Sequence, residues 1–324
     1  MKRSTIKPII ILISLIFLSA ILFNGNLYAK KVRLSIATAG TAGTWYPLGG
    51  AIANLITKYV KNAEATAYPS GASIENIRTL RKGQCDIAFL MPDVAYWAYT
   101  GTKKFKKEKP FKELRGLFSL YPIDEMIVVP EDSPIKSIYD IKGKRVGIGA
   151  PGSGIEVMNK LILAEYGITY KDISPKFLSI AESVQALKDG NIDVAMFAVG
   201  TPAPGLMDLV TVRKVRYIDI KDDMAKKINK KYPYYVPRTI PAGIYKGQDK
   251  PIHVLCWLGI IATTTRLNKD LVYNIVKTFW DHKKEIDKIH VKYKSIKINT
   301  AAKGCSIPLH DGAKRFFKEK GVLK

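Results

Sequence analysis

The sequence predicts an α/β protein of two similar lobes, each an open parallel sheet flanked by helices. The first observation behind this is an internal repeat. Residues 80–89 read Leu80-Arg-Lys-Gly83-Gln-Cys-Asp86-Ile-Ala88-Phe89, and residues 187–196 read Leu187-Lys-Asp-Gly190-Asn-Ile-Asp193-Val-Ala195-Met196. Leu, Gly, Asp and Ala recur at an offset of 107, as do Glu75 and Glu182 upstream. The second is that each copy follows the same order of apolar strand, glycine-rich loop and amphipathic helix. The third is the alternation of strands with helices along both halves, the pattern of parallel sheets.

In the first half, Val32–Ala37 reads as a strand and Thr38-Ala-Gly40-Thr-Ala-Gly43-Thr44 as a glycine loop. A helix follows, with Leu48, Ala51, Ile52, Leu55, Ile56 and Tyr59 on one face of a 3.6-residue period. Ala65–Tyr68 is the next strand. It leads through Pro69-Ser70-Gly71-Ala72-Ser73 into a helix that turns Ile74, Ile77 and Leu80 inward. In the second half, Arg145–Ile148 is the strand and Gly149-Ala-Pro-Gly152-Ser153-Gly154 the loop. Ser153 and Glu156 predict a capping box, and Met158, Leu161 and Ile162 the apolar face behind it. Lys176–Leu178 then leads to a helix over Glu182–Lys188. The shared Leu-x-x-Gly-x-x-Asp closes each second helix with a glycine cap. It then re-enters a buried strand, Ile87–Leu90 or Val194–Ala198.

The connections predict a hinge. Leu117–Pro130 is a long apolar stretch joining the lobes, and Tyr234–Tyr245 reads as the return. Val254–Ala262 is then a strand and Asn268–Ile286 a long helix. Lobe one is thus discontinuous, residues 30–120 and 240–324, and lobe two is residues 121–239.

Loops that open helices at the carboxyl ends of parallel strands are where such sheets hold ligands. Two to four helix N-termini face one cleft on this reading, and their amides and dipoles favour anions. Thr41, Gly43, Thr44, Ser70, Ser73, Gly152, Ser153 and Gly154 supply amides and hydroxyls. Trp45 and Tyr46 either wall the cleft or pack, with Tyr46 favoured because its hydroxyl can reach a ligand. Asn76 caps its helix or binds ligand. Asp93 pairs with a ligand amine or serves a turn.

Other chemistries fit less well. Gly147-Ile-Gly149-Ala-Pro-Gly152 matches a dinucleotide fingerprint, but Pro151 removes an amide where a pyrophosphate would need one. No Gly-Lys-Ser/Thr follows either glycine loop. Ser153 lacks the glycine two places earlier that a nucleophile elbow requires. The four histidines, His253, His282, His290 and His310, all lie in the last quarter. No Cys/His metal spacing is present. These patterns predict no catalytic triad, no metal and no cofactor.

The amino terminus is of another kind. Lys2, Arg3 and Lys7 precede an apolar run from Pro8 to Phe23, then Asn24-Gly25-Asn26 and Leu27-Tyr28-Ala29. This is the pattern of a secretory signal cut after Ala29. The run of 16 residues is short of the roughly 20 needed to span a bilayer. Removing residues 1–29 takes the formal charge from +24 to +21. Export and the scatter of the lysines argue against nucleic acid as the partner. The charge either steers anions or the anionic membrane face, or is an inherited basic surface. Cys85, Cys256 and Cys305 leave one pair plus one buried thiol open.

Several motifs together resemble one family. Gly40-Thr-Ala-Gly43-Thr-Trp-Tyr46-Pro-Leu-Gly49-Gly50 is similar to the signature of TAXI proteins, the solute receptors of one class of TRAP transporter. So are Ser70-Gly-Ala-Ser73-Ile-Glu-Asn76, Gly149-Ala-Pro-Gly152-Ser153-Gly154, Ile240-Pro241-Ala242-Gly243-Ile244-Tyr245 and the tail Ile307–Ala313. The resemblance covers about residues 30–324. It implies a two-lobed periplasmic-binding-protein (Venus-flytrap) fold, a periplasmic location and sodium-coupled TRAP membrane subunits as partners. It also implies a carboxylate ligand such as glutamate or glutamine. Trp45 stands where the family often has Tyr, and Met91-Pro92 where a Gln-Ser pair is common. The alternatives are a secreted surface or adhesion protein that retains a binding shell, and an exported hydrolase. The exported chain is expected to begin at or near Lys30. Intact-mass spectrometry reads this directly, and a membrane-bound form that keeps Met1 would contradict it.

Overall fold

Two long antiparallel strands organise the molecule. The computed structural model describes residues 31–324, so the predicted signal at residues 1–29 lies outside the described residues. β1 (Val32–Ala37), β2 (Ala63–Tyr68) and β3 (Ile87–Leu90) carry the amino-terminal half, and β5 (Arg145–Gly147), β6 (Ser174–Lys176) and β7 (Val194–Val199) the carboxyl half. Between them run β4 (Leu114–Pro130) and β10 (Ile252–Thr264), joined at their edges by β8 (Val215–Ile218) and β9 (Val236–Ile240). The strand order is β2-β1-β3-β10-β4-β7-β5-β6, with β8 on β4 and β9 on β10. The two halves therefore show the same local order, 2-1-3 and 6-5-7. β1 is parallel to β3, and β5 is parallel to β6 and β7. The two predicted sheets are hydrogen-bonded into one path because β4 and β10 are shared.

The repeat has a mechanical meaning. Gly83 and Gly190 end their helices with φ of 69° and 71°, a backbone that favours glycine. Leu80 and Leu187 ahead of them are fully buried. Asp86 then accepts from the Ser35 amide at 2.8 Å, and Asp193 accepts from the Arg145 amide at 2.8 Å. Each aspartate thus ties down its own half's first strand. The Arg145 guanidinium beside Asp193 also holds that carboxyl below its usual range.

The helices follow their predicted faces. α1 (Trp45–Tyr59) buries Leu48, Ala51, Ile52, Leu55 and Ile56. Tyr59 is half-exposed; its ring stacks on His282 and its hydroxyl donates to Glu285. α2 (Ser73–Lys82) buries Ile74, Ile77 and Leu80. α3 (Pro92–Thr100) follows β3 directly. α4 (Gly154–Glu165) buries Met158 and Ile162. Its predicted capping box forms by half. Ser153 accepts from the Glu156 amide at 3.1 Å, but the Glu156 carboxylate is taken by Lys104 and the Tyr170 hydroxyl. The complete box lies at Ser179 and Glu182, which starts α5 (Ile180–Lys188) two residues earlier than expected. α6 (Pro204–Val212) and α7 (Asp222–Lys231) complete the carboxyl half.

Two other expectations shift. The predicted helix over Asn268–Ile286 is two helices, α8 (Lys269–Asp281) and α9 (Lys283–Ile289), parted at His282. No glycine or proline stands at the break; His282 is held instead by the Tyr59 ring and Glu285. The return crossing also lies later than Tyr234–Tyr245. β9 pairs with Ile252–Cys256 of β10, and Ile240, Tyr245, Ile252 and Val254 pack in the carboxyl half's core. The chain recrosses within β10, near Cys256. Short α10 (Ile298–Ala301) and α11 (Asp311–Glu319) finish the chain. The tail is tied to β4 by Gly116, whose amide donates to Pro308 and whose carbonyl accepts from His310. All three cysteines are free thiols, so the disulfide alternative is not realised. No helix among the described residues is long and apolar enough to cross a membrane.

At the crossing itself Asp124 is fully buried. It accepts from Arg238 on β9 at 2.7 Å and from Lys292 at 3.4 Å, in the 3-10 turn Val291–Ser295. Lys292 is 5% exposed at its side chain, and burial lowers its pKa. Removing one partner of a buried pair leaves an uncompensated charge. Asp124→Asn is therefore expected to cost about 3–5 kcal/mol, measured by urea unfolding; a loss within experimental error would show that the pair is solvent-relaxed.

Candidate functional site

Between the two halves lies a cavity of ≈ 40 Å³. Four helices begin on it. Trp45 opens α1, Ser73 opens α2, Gly154 opens α4 and Ile180 opens α5, and all four residues line the wall. The strand ends supply the rest. Ala39 follows β1, Met91 follows β3, and Ala198, Val199 and Gly200 close β7. Ile123 of β4 and Trp257 of β10 face each other in register and come from the crossing strands. This is the carboxyl-end position expected for parallel sheets.

Glycines let the halves meet. A Cβ on Gly154 would lie 2.2 Å from the Met91 sulfur and 3.1 Å from the Ser73 hydroxyl. A Cβ on Gly200 would lie 2.7 Å from the Thr44 hydroxyl and 2.6 Å from the Tyr121 ring. Ala72, ahead of α2, holds φ 67° and ψ −148°. That left-handed backbone is costly for a residue with a side chain, and such strain concentrates at functional loops.

The polar side chains on the wall are two indoles and the hydroxyls of Thr44 and Ser73. The indole N–H groups of Trp45 and Trp257 are both buried and have no protein acceptor. α4 and α5 have side-chain caps in Ser153 and Ser179, whereas α1 and α2 have none. Their first-turn amides are therefore without a capping side chain at the cavity. None of the residues that line the cavity is Asp, Glu, Lys, Arg or His.

Of the predicted residues, Gly43, Thr44, Ser73 and Gly154 come together on the wall. The remainder do not line it. Thr41 is exposed and Tyr46 half-buried. Ser70 donates to the Thr38 carbonyl and accepts from the Ala72 amide, bracing its loop. Asn76 neither caps α2 nor lines the cavity; its side-chain amide donates to the Thr38 and Phe89 carbonyls at 2.8 and 2.9 Å, tying β1 to β3. Gly152, with φ +72°, lies in the turn before α4, and Ser153 is that helix's cap. Asp93 is fully buried and accepts from the Tyr235 hydroxyl at 2.5 Å and from the Val94 amide at 2.7 Å.

The choice between Trp45 and Tyr46 thus falls to Trp45. Of the three positions that depart from the resembled family's pattern, Trp45 and Met91 line the cavity and Pro92 does not. Trp257, Ile123 and Gly200 were not in the expected set. They sit on crossing strands or a strand end, with no local motif. Ile180 had one, since Ser179-x-x-Glu182 is a capping box read directly from sequence. No group of three or more His, Cys, Asp or Glu among the described residues is placed to hold a metal ion.

With this geometry in hand, comparison with known proteins identifies the family. A model described as the NMT1-like family matches residues 36–321. The chain belongs to the NMT1-like family. Its architecture is the mixed α/β fold of periplasmic solute-binding proteins, a sheet flanked by helices. This NMT1-like protein is 35% identical over 72 residues to a putative aliphatic sulfonates-binding protein of Escherichia coli K12, 22% of each chain. It is 30% identical over 151 residues to the arginine-binding extracellular protein ArtP of Bacillus subtilis 168, 44% of this chain and 52% of that one. The NMT1-like protein thus spans about a fifth to a half of the length of these curated relatives. A solved structure from Bordetella bronchiseptica RB50 superposes with a TM-score of 0.51 at 17% identity, covering 91% of this chain and 90% of that one.

Two acids that do not line the cavity, Asp93 and Glu125, are fully buried. Burial pushes Asp93 up to about 6, against the opposing bond from Tyr235. Burial alone raises Glu125 well above its ordinary value, and both of its oxygens lack partners. A carboxyl whose folded pKa is raised favours the folded state below its unfolded value and loses that advantage as pH rises through the folded one. For Asp93 the window runs from the ordinary 3.8 to about 6. Urea unfolding of wild type and Asp93→Asn should therefore diverge, the wild type gaining up to ~3 kcal/mol on the variant as pH falls through that window. A pH-independent difference would contradict the assignment.

Proposed function

We propose that this NMT1-like protein is an exported solute-binding receptor that captures a small organic anion and delivers it to a membrane importer. One observation carries the reading: four helix N-termini converge on a cavity between two halves, and two of the residues lining it carry indole N–H groups without an acceptor. Helix starts and unpaired N–H groups favour negative charge. The named relatives are binding proteins, and the cavity offers binding chemistry rather than an activated nucleophile; the protein is read as a receptor, not an enzyme. The partners are the membrane subunits of a transporter. The motifs at Gly40–Gly50, Ser70–Asn76 and Gly149–Gly154 favour a TRAP-type importer of the TAXI class, and the periplasm as the location. The carboxylate is the anionic group favoured by the same resemblance. The halves open and close about the paired crossing in β4 and β10, near Asp124 and Cys256.

A thermal-shift screen of carboxylates, sulfonates and amino acids tests this. A true ligand at about 100 times its dissociation constant stabilises by about 2.7 kcal/mol. Thr44→Val removes a wall hydroxyl at nearly constant shape and should cost about 1–3 kcal/mol of binding. Tyr46→Phe, off the wall, should leave affinity unchanged. Calorimetry on both variants decides it: equal affinities would remove the α1 loop from the site, and tight binding confined to uncharged solutes would end the anion reading.

A further inference from the structure

Resting on the receptor reading, the donor and acceptor balance of the cavity narrows the ligand. We infer that the ligand is a short monoanion with an apolar body and no ammonium group, a 2-oxo or simple aliphatic carboxylate rather than an amino acid.

The first argument is charge. An amino acid brings an ammonium as well as a carboxylate, and a buried ammonium needs a carboxylate partner. No acid stands on the wall. Asp93 is already engaged by Tyr235 and Val94. The wall answers a single negative charge instead, through the uncapped starts of α1 and α2. It offers no lysine or arginine to a second carboxylate either, which argues against dicarboxylates.

The second argument is independent of the helix ends. Trp45 and Trp257 are 8% and 1% exposed, and neither indole N–H has a protein acceptor. A buried donor without a partner is costly, and an indole can donate but never accept. Both residues line the cavity, and a carboxylate with a neighbouring carbonyl would supply the oxygens that their N–H groups lack. An ammonium would meet only further N–H groups from these side chains.

The third argument is the remaining surface. Met91, Ile123, Ile155, Ile180 and Val199 make the wall largely apolar. The space between them is ≈ 40 Å³. A short alkyl chain suits that space; a long polar one does not.

Matched pairs test the proposal on the whole exported chain. Pyruvate with alanine, 3-methyl-2-oxobutanoate with valine, and 2-oxoglutarate with glutamate each keep the skeleton and exchange ketone for ammonium. Calorimetry and tryptophan fluorescence should show the first two oxo acids binding at least about tenfold tighter than their amino partners, because a buried ammonium goes unpaired. 2-Oxoglutarate should bind more weakly than the two monoanions. Trp257→Phe, which keeps a ring and removes the N–H, should weaken the oxo acid about tenfold; Trp45→Phe should do the same, with melting of the ligand-free variants checking their folding. An amino acid that binds as tightly as its oxo partner overturns this inference while leaving the receptor reading standing. If no member of any pair binds at millimolar concentration, the inference falls, and the receptor reading falls with it only if the sulfonates and remaining amino acids of the thermal-shift screen also fail to stabilise the protein. Unchanged affinity in both tryptophan variants removes the indole donors from the site.

Discussion

Asp124 is the point on which the two halves depend. It is buried on a strand that both halves share, and its carboxylate answers Arg238 from β9 and Lys292 from the carboxyl-terminal turn. A single acid in that position could not be buried alone. Two cations from different parts of the chain make its burial tolerable, and in doing so they fix how β4, β9 and the turn at Val291–Ser295 sit together. Cys256 of β10 is in register with Asp124, so the same place sets the alignment of both crossing strands. Everything on the cavity wall hangs from that alignment. Ile123 precedes Asp124 by one residue and Trp257 follows Cys256 by one, and these are the two wall residues that belong to neither half.

The site is then assembled by backbone more than by side chains. Parallel strands end where their following helices begin, so β1, β3 and β7 deliver helix starts or strand ends to one line. Gly154 and Gly200 allow that line to close, since a methyl group at either would collide with Met91, Thr44 or Tyr121 across the gap. The sparse polar chemistry is a consequence. Once amides and two indoles provide the donors, charged side chains are not needed at the wall, and the formal charge of +24 resides elsewhere. On the anion reading these charges act at a distance, raising the local concentration of anions, while the neutral wall selects among them at contact.

The same division explains which conspicuous residues turned out to hold structure. Asn76 and Ser70 sit in the loop most suggestive of binding, yet their hydrogen bonds are spent on main-chain carbonyls and amides of β1, β3 and the loop itself. Asp93 follows the end of β3 but faces Tyr235. A small polar residue next to a helix start has two uses, bracing the backbone or meeting a ligand, and local sequence does not separate them.

The sequence alone determined the parts of this protein that depend on short-range physics. Periodicity placed α1 and α2 with their buried faces, and Leu-x-x-Gly-x-x-Asp placed both glycine caps and both re-entrant strands, β3 and β7, because left-handed caps and apolar runs are written locally. It also placed Gly43, Thr44, Ser73 and Gly154 at a cleft, since glycine loops between strand and helix have one place to be in a parallel sheet. The tertiary structure alone decided the rest. It chose Trp45 over Tyr46, because which of two adjacent residues faces inward depends on what packs there, and Gly259 of β10 leaves the Trp45 ring its place. It brought in Trp257, Ile123 and Gly200, whose partners lie far away in the chain. It moved the return crossing into β10, because β9 gains its hydrogen bonds there, and it broke α8 from α9 at His282, where the Tyr59 ring and Glu285 outweigh an unbroken helical pattern. Long-range pairing sets these features, and no local window of sequence contains both partners.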